Sequence, residues 1–355
     1  MANVASRSPE TTPRCARSAA TSHRARPNQQ IGGGPSSEHE VSLATSREIL
    51  RELRDGGHAV RPVLIDRQER WAFGGAADDF AQVGPPVERG AALARLREQA
   101  ETAYIGLHGP FGEDGTLQRL LEDAGVPYTG CGPAASALGM DKALSKLAAA
   151  KTGAHTASHE VLSGKRLPLW GIARGIGYPC FVKPVSGGSS VGVSRVDNEA
   201  SLSDAVRSAQ AEDPDGRCMV EAAVEGPEVT CGVLRRDGRV VTLPLIEITP
   251  ASGFYDYHAK YESEATRLQC PAPVADAVRL EVERVARELY ERLELRGVVR
   301  LDFLVRRSDG QPIFLELNTL PGFTSHSLVP LAARSAGWSA LEVLEAVLAD
   351  TGRAG

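Results

Sequence analysis

Two segments near the C-terminus decide how this chain reads: Val298-Val299-Arg300-Leu301-Asp302-Phe303-Leu304-Val305 and, after a turn at Asp309-Gly310, Pro312-Ile313-Phe314-Leu315-Glu316-Leu317-Asn318. Both are short, apolar and bounded by turn residues, which predicts an antiparallel hairpin. Side chains alternate across a strand, so Arg300 and Asp302 share one face, as do Glu316 and Asn318. The hairpin therefore gathers four polar groups inside apolar strands, where unpaired polar groups are costly. Two carboxylates and a carboxamide are hard oxygen donors of the kind that hold Mg²⁺, normally shared with the phosphates of a nucleotide. A guanidinium beside them offsets charge in a phosphoryl-transfer transition state. The competing reading is an exposed cross-strand salt bridge; the flanking Val, Leu and Phe residues weigh against it.

Working outward, the same unit holds a second hairpin, Glu228–Leu234 with Val240–Ile248, joined at Asp237-Gly238. A helix is expected over Ala275–Leu293 and an amphipathic one over Leu341–Leu348. Before this unit, Ser136–Lys151 reads as one helix rich in Ala, Leu and Lys. Tyr178–Val185 and Val193–Val196 read as strands around a Gly187–Gly192 loop, followed by a helix Leu202–Ala211 and a strand Cys218–Glu221. This is α+β. Further back, the helical face of Val41, Leu43, Ile49, Leu50 and Leu53 alternates with strands Val60–Ile65 and Tyr104–Leu107 and a helix Thr116–Ala124. Alternation of this kind is α/β with a parallel sheet. The expected units are a tail at 1–30, an α/β domain at 31–130, a central unit at 131–221 and a C-terminal unit at 222–355.

Composition narrows the function classes. Of the 355 residues, 42% are hydrophobic and 24% charged, and the net charge is -5, so nothing global points to nucleic acid or an anionic membrane. No apolar run is long enough to span a bilayer. The six cysteines show no metal-ligand spacing and read as buried free thiols of a reducing compartment, which places the protein in the cytoplasm. The first 30 residues carry five arginines, a single acid and no apolar core of a signal peptide. They lack any core-forming pattern.

Other residues carry chemistry with the hairpin. Gly187-Gly188-Ser189-Ser190-Val191-Gly192 lies between two strands, not before a helix, so it is neither a Rossmann fingerprint nor a P-loop. A Gly/Ser loop on a hairpin can still fold over phosphates and offer backbone N–H groups, although alone it reads as an ordinary turn. Lys183, at the end of an apolar strand, and Lys142, in Met140-Asp141-Lys142, could clamp a polyphosphate; each alone reads as a solvated charge. His108 to Gly115 is a glycine-rich turn at a strand-to-helix junction, the edge where open α/β sheets bind ligands. Leu320 to Ser327 is a Pro-Gly turn able to present N–H groups to an oxyanion or carboxylate.

These stretches, together with Ser36 to Leu43 and Phe254 to Tyr261, occur in the order found in D-alanine–D-alanine ligases, and residues 31–350 resemble that family. The resemblance implies an ATP-grasp fold behind an N-terminal parallel α/β domain, and ligation of two D-alanines through an acyl-phosphate at the expense of ATP. It implies Lys142, Lys183 and Lys260 as phosphate-binding lysines, and Glu221 and Glu228 as acids holding adenine and ribose. It implies Asp302, Glu316 and Asn318 as ligands of two Mg²⁺ ions, with Mn²⁺ able to substitute. Glu40 corresponds to the carboxylate for the first ammonium, with Ser189 and Tyr261 as its loop partners and His108 beside that substrate. Arg300 and the Gly322 amide correspond to the oxyanion pair, and Ser327 and Leu328 to contacts with the second carboxylate. A homodimer is implied as well. Two alternatives stay open: a ligase making another D-alanyl product, and a degenerate ATP-binding homologue. The second is motivated by Arg26-Pro27-Asn28-Gln29-Gln30, which does not read as the buried first strand that the family carries there.

Overall fold

The computed structural model describes residues 26–164, 169–250 and 266–351. Lys260 and Tyr261 lie outside the described residues. The N-terminal part runs β1 (Asn28–Gly33), α1 (His39–Asp55), β2 (Val60–Ile65), β3 (Trp71–Phe73), α2 (Arg89–Gln99), β4 (Ala103–Ile105) and α3 (Thr116–Asp123). The sheet order is β3-β2-β1-β4, and β1 is parallel to both neighbours. A parallel pair needs a crossover, and α1 supplies the one from β1 to β2.

The first strand is therefore present, against the expectation from its sequence. It starts at Asn28, inside the stretch assigned to the tail, and it is a central strand. Gln29 and Gln30 are 2% and 0% exposed. Ladder hydrogen bonds belong to the backbone, so a glutamine pairs as well as a valine; Gln29 meets Arg61 and Ala103, and Gln30 meets Pro62 and Tyr104. The burden falls on the side chains. The Gln30 amide donates to the Ile31 carbonyl at 3.3 Å, but its Oε1 is buried with no hydrogen-bond partner.

The chain continues through α4 (Pro133–Met140), α5 (Lys142–Lys151), β5 (His155–Thr156), β6 (His159–Ser163), α6 (Leu169–Ile176), β7 (Cys180–Pro184), β8 (Ser194–Val196), α7 (Glu199–Glu212) and β9 (Arg217–Ala222). The single helix expected over Ser136–Lys151 is broken at Asp141. Its extended backbone ends α4, and its carboxylate accepts the N–H groups of Ala143 and Leu144 at 2.9 Å to cap α5. Strands β6-β9-β7-β8 form an antiparallel sheet covered by α7.

The last part holds β10 (Glu228–Arg236), β11 (Arg239–Thr242), β12 (Ile246–Thr249), β13 (Arg267–Gln269), α8 (Asp276–Arg292), β14 (Val298–Val305), β15 (Pro312–Asn318), α9 (Leu328–Ser335) and α10 (Ala340–Ala349). Its sheet runs β13-β12-β10-β14-β15-β5, with β11 also paired to β10. Asp237 and Gly238 both take positive φ, as the expected tight hairpin requires. The return strand is split around Pro244 into β11 and β12. β5 pairs with β15, and α4 and α5 pack on β15, so the first helices after residue 131 belong to this sheet rather than to the central one. One hydrophobic core joins Ile49, Leu50 and Leu53 of α1 to Phe323, Val329, Val343 and Leu344, which fixes the N-terminal domain against the C-terminal turn. Among the described residues no helix is long and apolar enough to cross a membrane, and Cys131, Cys180, Cys218, Cys231 and Cys270 are free thiols.

Candidate active site

The β14–β15 hairpin pairs Arg300 with Asn318 and Asp302 with Glu316 across the ladder, so the four polar groups do meet. The Asp302 carboxylate is buried. It accepts Nε and Nη2 of Arg300 at 2.9 and 2.8 Å, the Thr230 hydroxyl at 2.5 Å and Nδ2 of Asn318 at 3.0 Å. A bulge after Asp302 shifts the register there, so the strands beyond it pair one residue out of step. Two carboxylates and a carboxamide on one face suit a hard cation whose remaining positions are filled by phosphate and water. Among the described residues no group of three or more His, Cys, Asp or Glu side chains is placed to hold a metal by itself.

Glu221 ends the central sheet at the crossing to β10. It is buried, with Lys146 Nζ 2.5 Å from one oxygen and Lys183 Nζ 2.6 Å from the other. Burial alone would raise its pKa; the charges of Lys183 and Lys146 outweigh that and hold it at about 2. Burial lowers the pKa of Lys146, against the pull of Glu221. Glu228 opens β10 on the far side of this crossing. At Gly226 the backbone has φ 156 and an added Cβ would lie 1.8 Å from the Val305 carbonyl, so only glycine lets the chain turn here.

The glycine hairpin between β7 and β8 folds toward the N-terminal domain. Lys142 Nζ donates to the Gly187 carbonyl at 2.7 Å, and the Ser189 hydroxyl donates to Glu38. It is Glu38, not the expected Glu40, that stands beside Ser189. Glu38 precedes α1 and Glu40 lies in its first turn, so the two side chains leave the backbone in different directions. Glu38, immediately before α1, turns inward and is buried; the Glu40 side chain is 75% exposed, 3.5 Å from Arg67.

Behind Glu38 lies Glu113, which accepts the Gly109 amide at 2.7 Å. Burial, and then the charge of Glu38, raise its pKa well above the usual carboxylate range. Burial pushes His108 down to about 4, so its ring is neutral. A carbonyl only accepts, so Nδ1 donates to Leu320 at 3.0 Å and Nε2 accepts the Thr45 hydroxyl at 2.8 Å. Both ring nitrogens are thus engaged inside the protein. His108 holds the turn that carries Gly322 and presents no free nitrogen to a substrate. Ser327 sits before α9; its Oγ accepts the Thr324 amide at 2.9 Å, and Leu328 packs into the core, leaving its backbone at the first turn of α9.

The structure therefore gathers Lys183, Glu221, Asp302, Glu316, Asn318 and Arg300 along the two sheets, with Lys142 and Ser189 on the glycine hairpin side. Sequence reasoning missed Glu38, Glu113, Lys146, Thr45 and Thr230. Lys146 had a signal, since it stands four residues after Lys142 and shares its helix face.

A fold of two largely antiparallel sheets around a buried acid-lysine cluster, behind a parallel α/β domain, defines an ATP-grasp protein. The family model described as D-ala D-ala ligase N-terminus matches residues 31–131, and that described as D-ala D-ala ligase C-terminus matches 159–349. A D-alanine–D-alanine ligase of Laribacter hongkongensis is 41% identical, over 88% of this chain and 94% of the relative. One of Pelodictyon phaeoclathratiforme is 36% identical, over 90% and 95%. The solved VanG D-Ala:D-Ser ligase from Enterococcus faecalis superposes with a TM-score of 0.78 at 29% identity, covering 91% of this chain and 98% of that one. The chain belongs to the D-alanine–D-alanine ligase family.

Proposed function

We propose that the protein joins two D-alanines into D-alanyl-D-alanine for peptidoglycan precursor synthesis, with cleavage of ATP to ADP and phosphate. The observation that carries this is the Asp302, Glu316 and Asn318 oxygen set beside Arg300, in a chain of this family. A carboxylate is a poor electrophile because it is already anionic. One of its oxygens attacks the γ-phosphorus of ATP, and ADP leaves. The amine of the second D-alanine then attacks the carbonyl carbon of the acyl-phosphate, loses a proton, and phosphate departs.

Each residue has a task in that sequence. Lys142, Lys183 and Lys260 hold the phosphates, and Glu221 and Glu228 hold adenine and ribose. Asp302, Glu316 and Asn318 would hold two Mg²⁺ ions, or Mn²⁺ in their place, which when bound would supply positive charge against the transferred phosphoryl group. Glu38, in the place expected of Glu40, pairs with the first ammonium. Ser189 and Tyr261 close the loop over it and exclude water, to which the acyl-phosphate is labile. Arg300 and the Gly322 amide receive the charge that develops on the carbonyl oxygen. Ser327 and the Leu328 amide, at the start of α9, receive the second carboxylate. The cytoplasmic location and homodimer implied by the resemblance belong to the proposal. Leu144 and Leu147 of α5, each about half exposed, support an apolar contact between copies.

The test is release of phosphate and formation of dipeptide from ATP, Mg²⁺ and D-alanine, with D-serine and D-lactate as competing second substrates. D-alanyl-D-alanine as the main product supports the reading; a mixed product supports the alternative ligase. Nucleotide binding without turnover supports the degenerate homologue, whose motive is weakened because the first strand is intact.

A further inference from the structure

Lys146 has no part in the mechanism above, yet its side chain is 0% exposed. An ammonium that deep is costly unless it is paired. Its partners are Glu221 at 2.5 Å and the Phe314 carbonyl at 3.1 Å. Glu221 belongs to the central sheet and Phe314 to the large one, so Lys146 spans the two sheets that face each other.

Lys183 grips the other oxygen of the same carboxylate at 2.6 Å, but its setting differs. It stands at the end of β7, directly before the glycine hairpin, and its side chain is 12% exposed. Lys146 is locked by packing and by a second bond; Lys183 is partly open to solvent. The proposed function asks Lys183 to meet a nucleotide phosphate. Were it the sole counter-ion of Glu221, its departure would leave a buried carboxylate uncompensated.

We propose that Lys146 is a positioning residue: the permanent counter-ion of Glu221, which keeps that carboxylate ionised for the nucleotide base and frees Lys183 to turn to the phosphates. This rests on the nucleotide-binding roles given above to Lys183 and Glu221. Before the nucleotide arrives, two ammonium groups share one carboxylate. The excess positive charge is what an incoming polyphosphate meets.

Calorimetric binding of a non-hydrolysable ATP analogue with Mg²⁺ reads the effect. Lys146→Met keeps the apolar stem and removes the charge, so Lys183 stays on Glu221. Affinity for the analogue should fall at least about tenfold while KM for D-alanine stays within about threefold, because only the nucleotide has to displace Lys183. Lys146→Met with Glu221→Gln removes both buried charges, leaves an amide oxygen to accept from the base, and should recover most of the lost affinity. Undiminished affinity in Lys146→Met, or a double variant as weak as the single one, would overturn the proposal. Should Lys146→Met not fold, the unmodified protein decides. In its complex with the analogue Lys146 should remain on Glu221 and Lys183 should have left it; Lys183 still on Glu221 refutes the role. If the unmodified protein binds no analogue at all, the nucleotide reading itself fails, and this one with it.

Discussion

Replacing Glu38 and Glu40 separately by glutamine distinguishes the residue that the sequence reading named, Glu40, from the one that is buried beside Ser189, Glu38. Glutamine keeps the shape of glutamate and its acceptor oxygen, so Glu38→Gln should leave the Ser189 contact and remove only the charge. Glu38 is buried, with Glu113 behind it, and a substrate ammonium there would be held by a charge-assisted hydrogen bond. Such a bond contributes about 1.5–3 kcal/mol. At about 1.4 kcal/mol per decade, that is a loss of roughly 10- to 150-fold in kcat/KM for the first D-alanine. Glu40 faces water with Arg67 at 3.5 Å. An exposed pair of this kind contributes about 0–1 kcal/mol to stability and nothing to transition-state binding, so Glu40→Gln should stay within about twofold in kcat/KM. Phosphate release with D-alanine varied at saturating ATP gives both values. A larger loss in Glu40→Gln than in Glu38→Gln would refute the assignment and the reasoning from burial behind it.

Glu316→Gln should abolish turnover while circular dichroism and the melting temperature stay near those of the unmodified protein, since one carboxylate of the Asp302–Glu316–Asn318 set is lost without loss of volume; near-normal turnover at ordinary Mg²⁺ would count against the metal site. Deleting residues 1–30 should lower the melting temperature, because it removes Asn28, Gln29 and Gln30 from a central strand paired on both sides; an unchanged melting temperature would show that β1 adds little. Glu113 has a raised folded-state pKa, so the stability it lends is present while it is protonated and is lost as pH rises through that value. Glu113→Gln should therefore flatten the fall in stability between the ordinary carboxylate pKa and about pH 8; equal slopes in the two proteins over that range would mean that Glu113 ionises freely.

How legible the molecule was in its sequence depended on whether a pattern of side chains was available. Val298–Val305 and Pro312–Asn318 are the observed strands residue for residue, because apolar runs broken by polar residues two apart leave one face choice. Asp237-Gly238 supplied its own turn chemistry. The first strand failed because its central place rests on backbone pairing, while Gln29 and Gln30 display no apolar pattern. The helix break at Asp141 was hidden for a similar reason: one carboxylate capping two amides ends a run that propensity alone would continue. The sequence reading fell on Glu40 because the inward turn of Glu38 depends on the entry angle of α1, which no side-chain pattern displays. Lys146 was legible only as one lysine among several in an Ala-rich helix, because the carboxylate that buries it comes from a strand far along the chain.

The central claim is that a carboxylate of D-alanine is phosphorylated and then displaced by an amine. D-alanine labelled with ¹⁸O in its carboxyl group tests it directly. The attacking carboxylate oxygen becomes the bridge to phosphorus and leaves with it when the amide forms. Incubation of the protein with labelled D-alanine, ATP and Mg²⁺ should yield D-alanyl-D-alanine and inorganic phosphate, with one ¹⁸O atom in the phosphate for each dipeptide, read by mass spectrometry. Unlabelled phosphate alongside dipeptide, or phosphate release without dipeptide, would contradict the account.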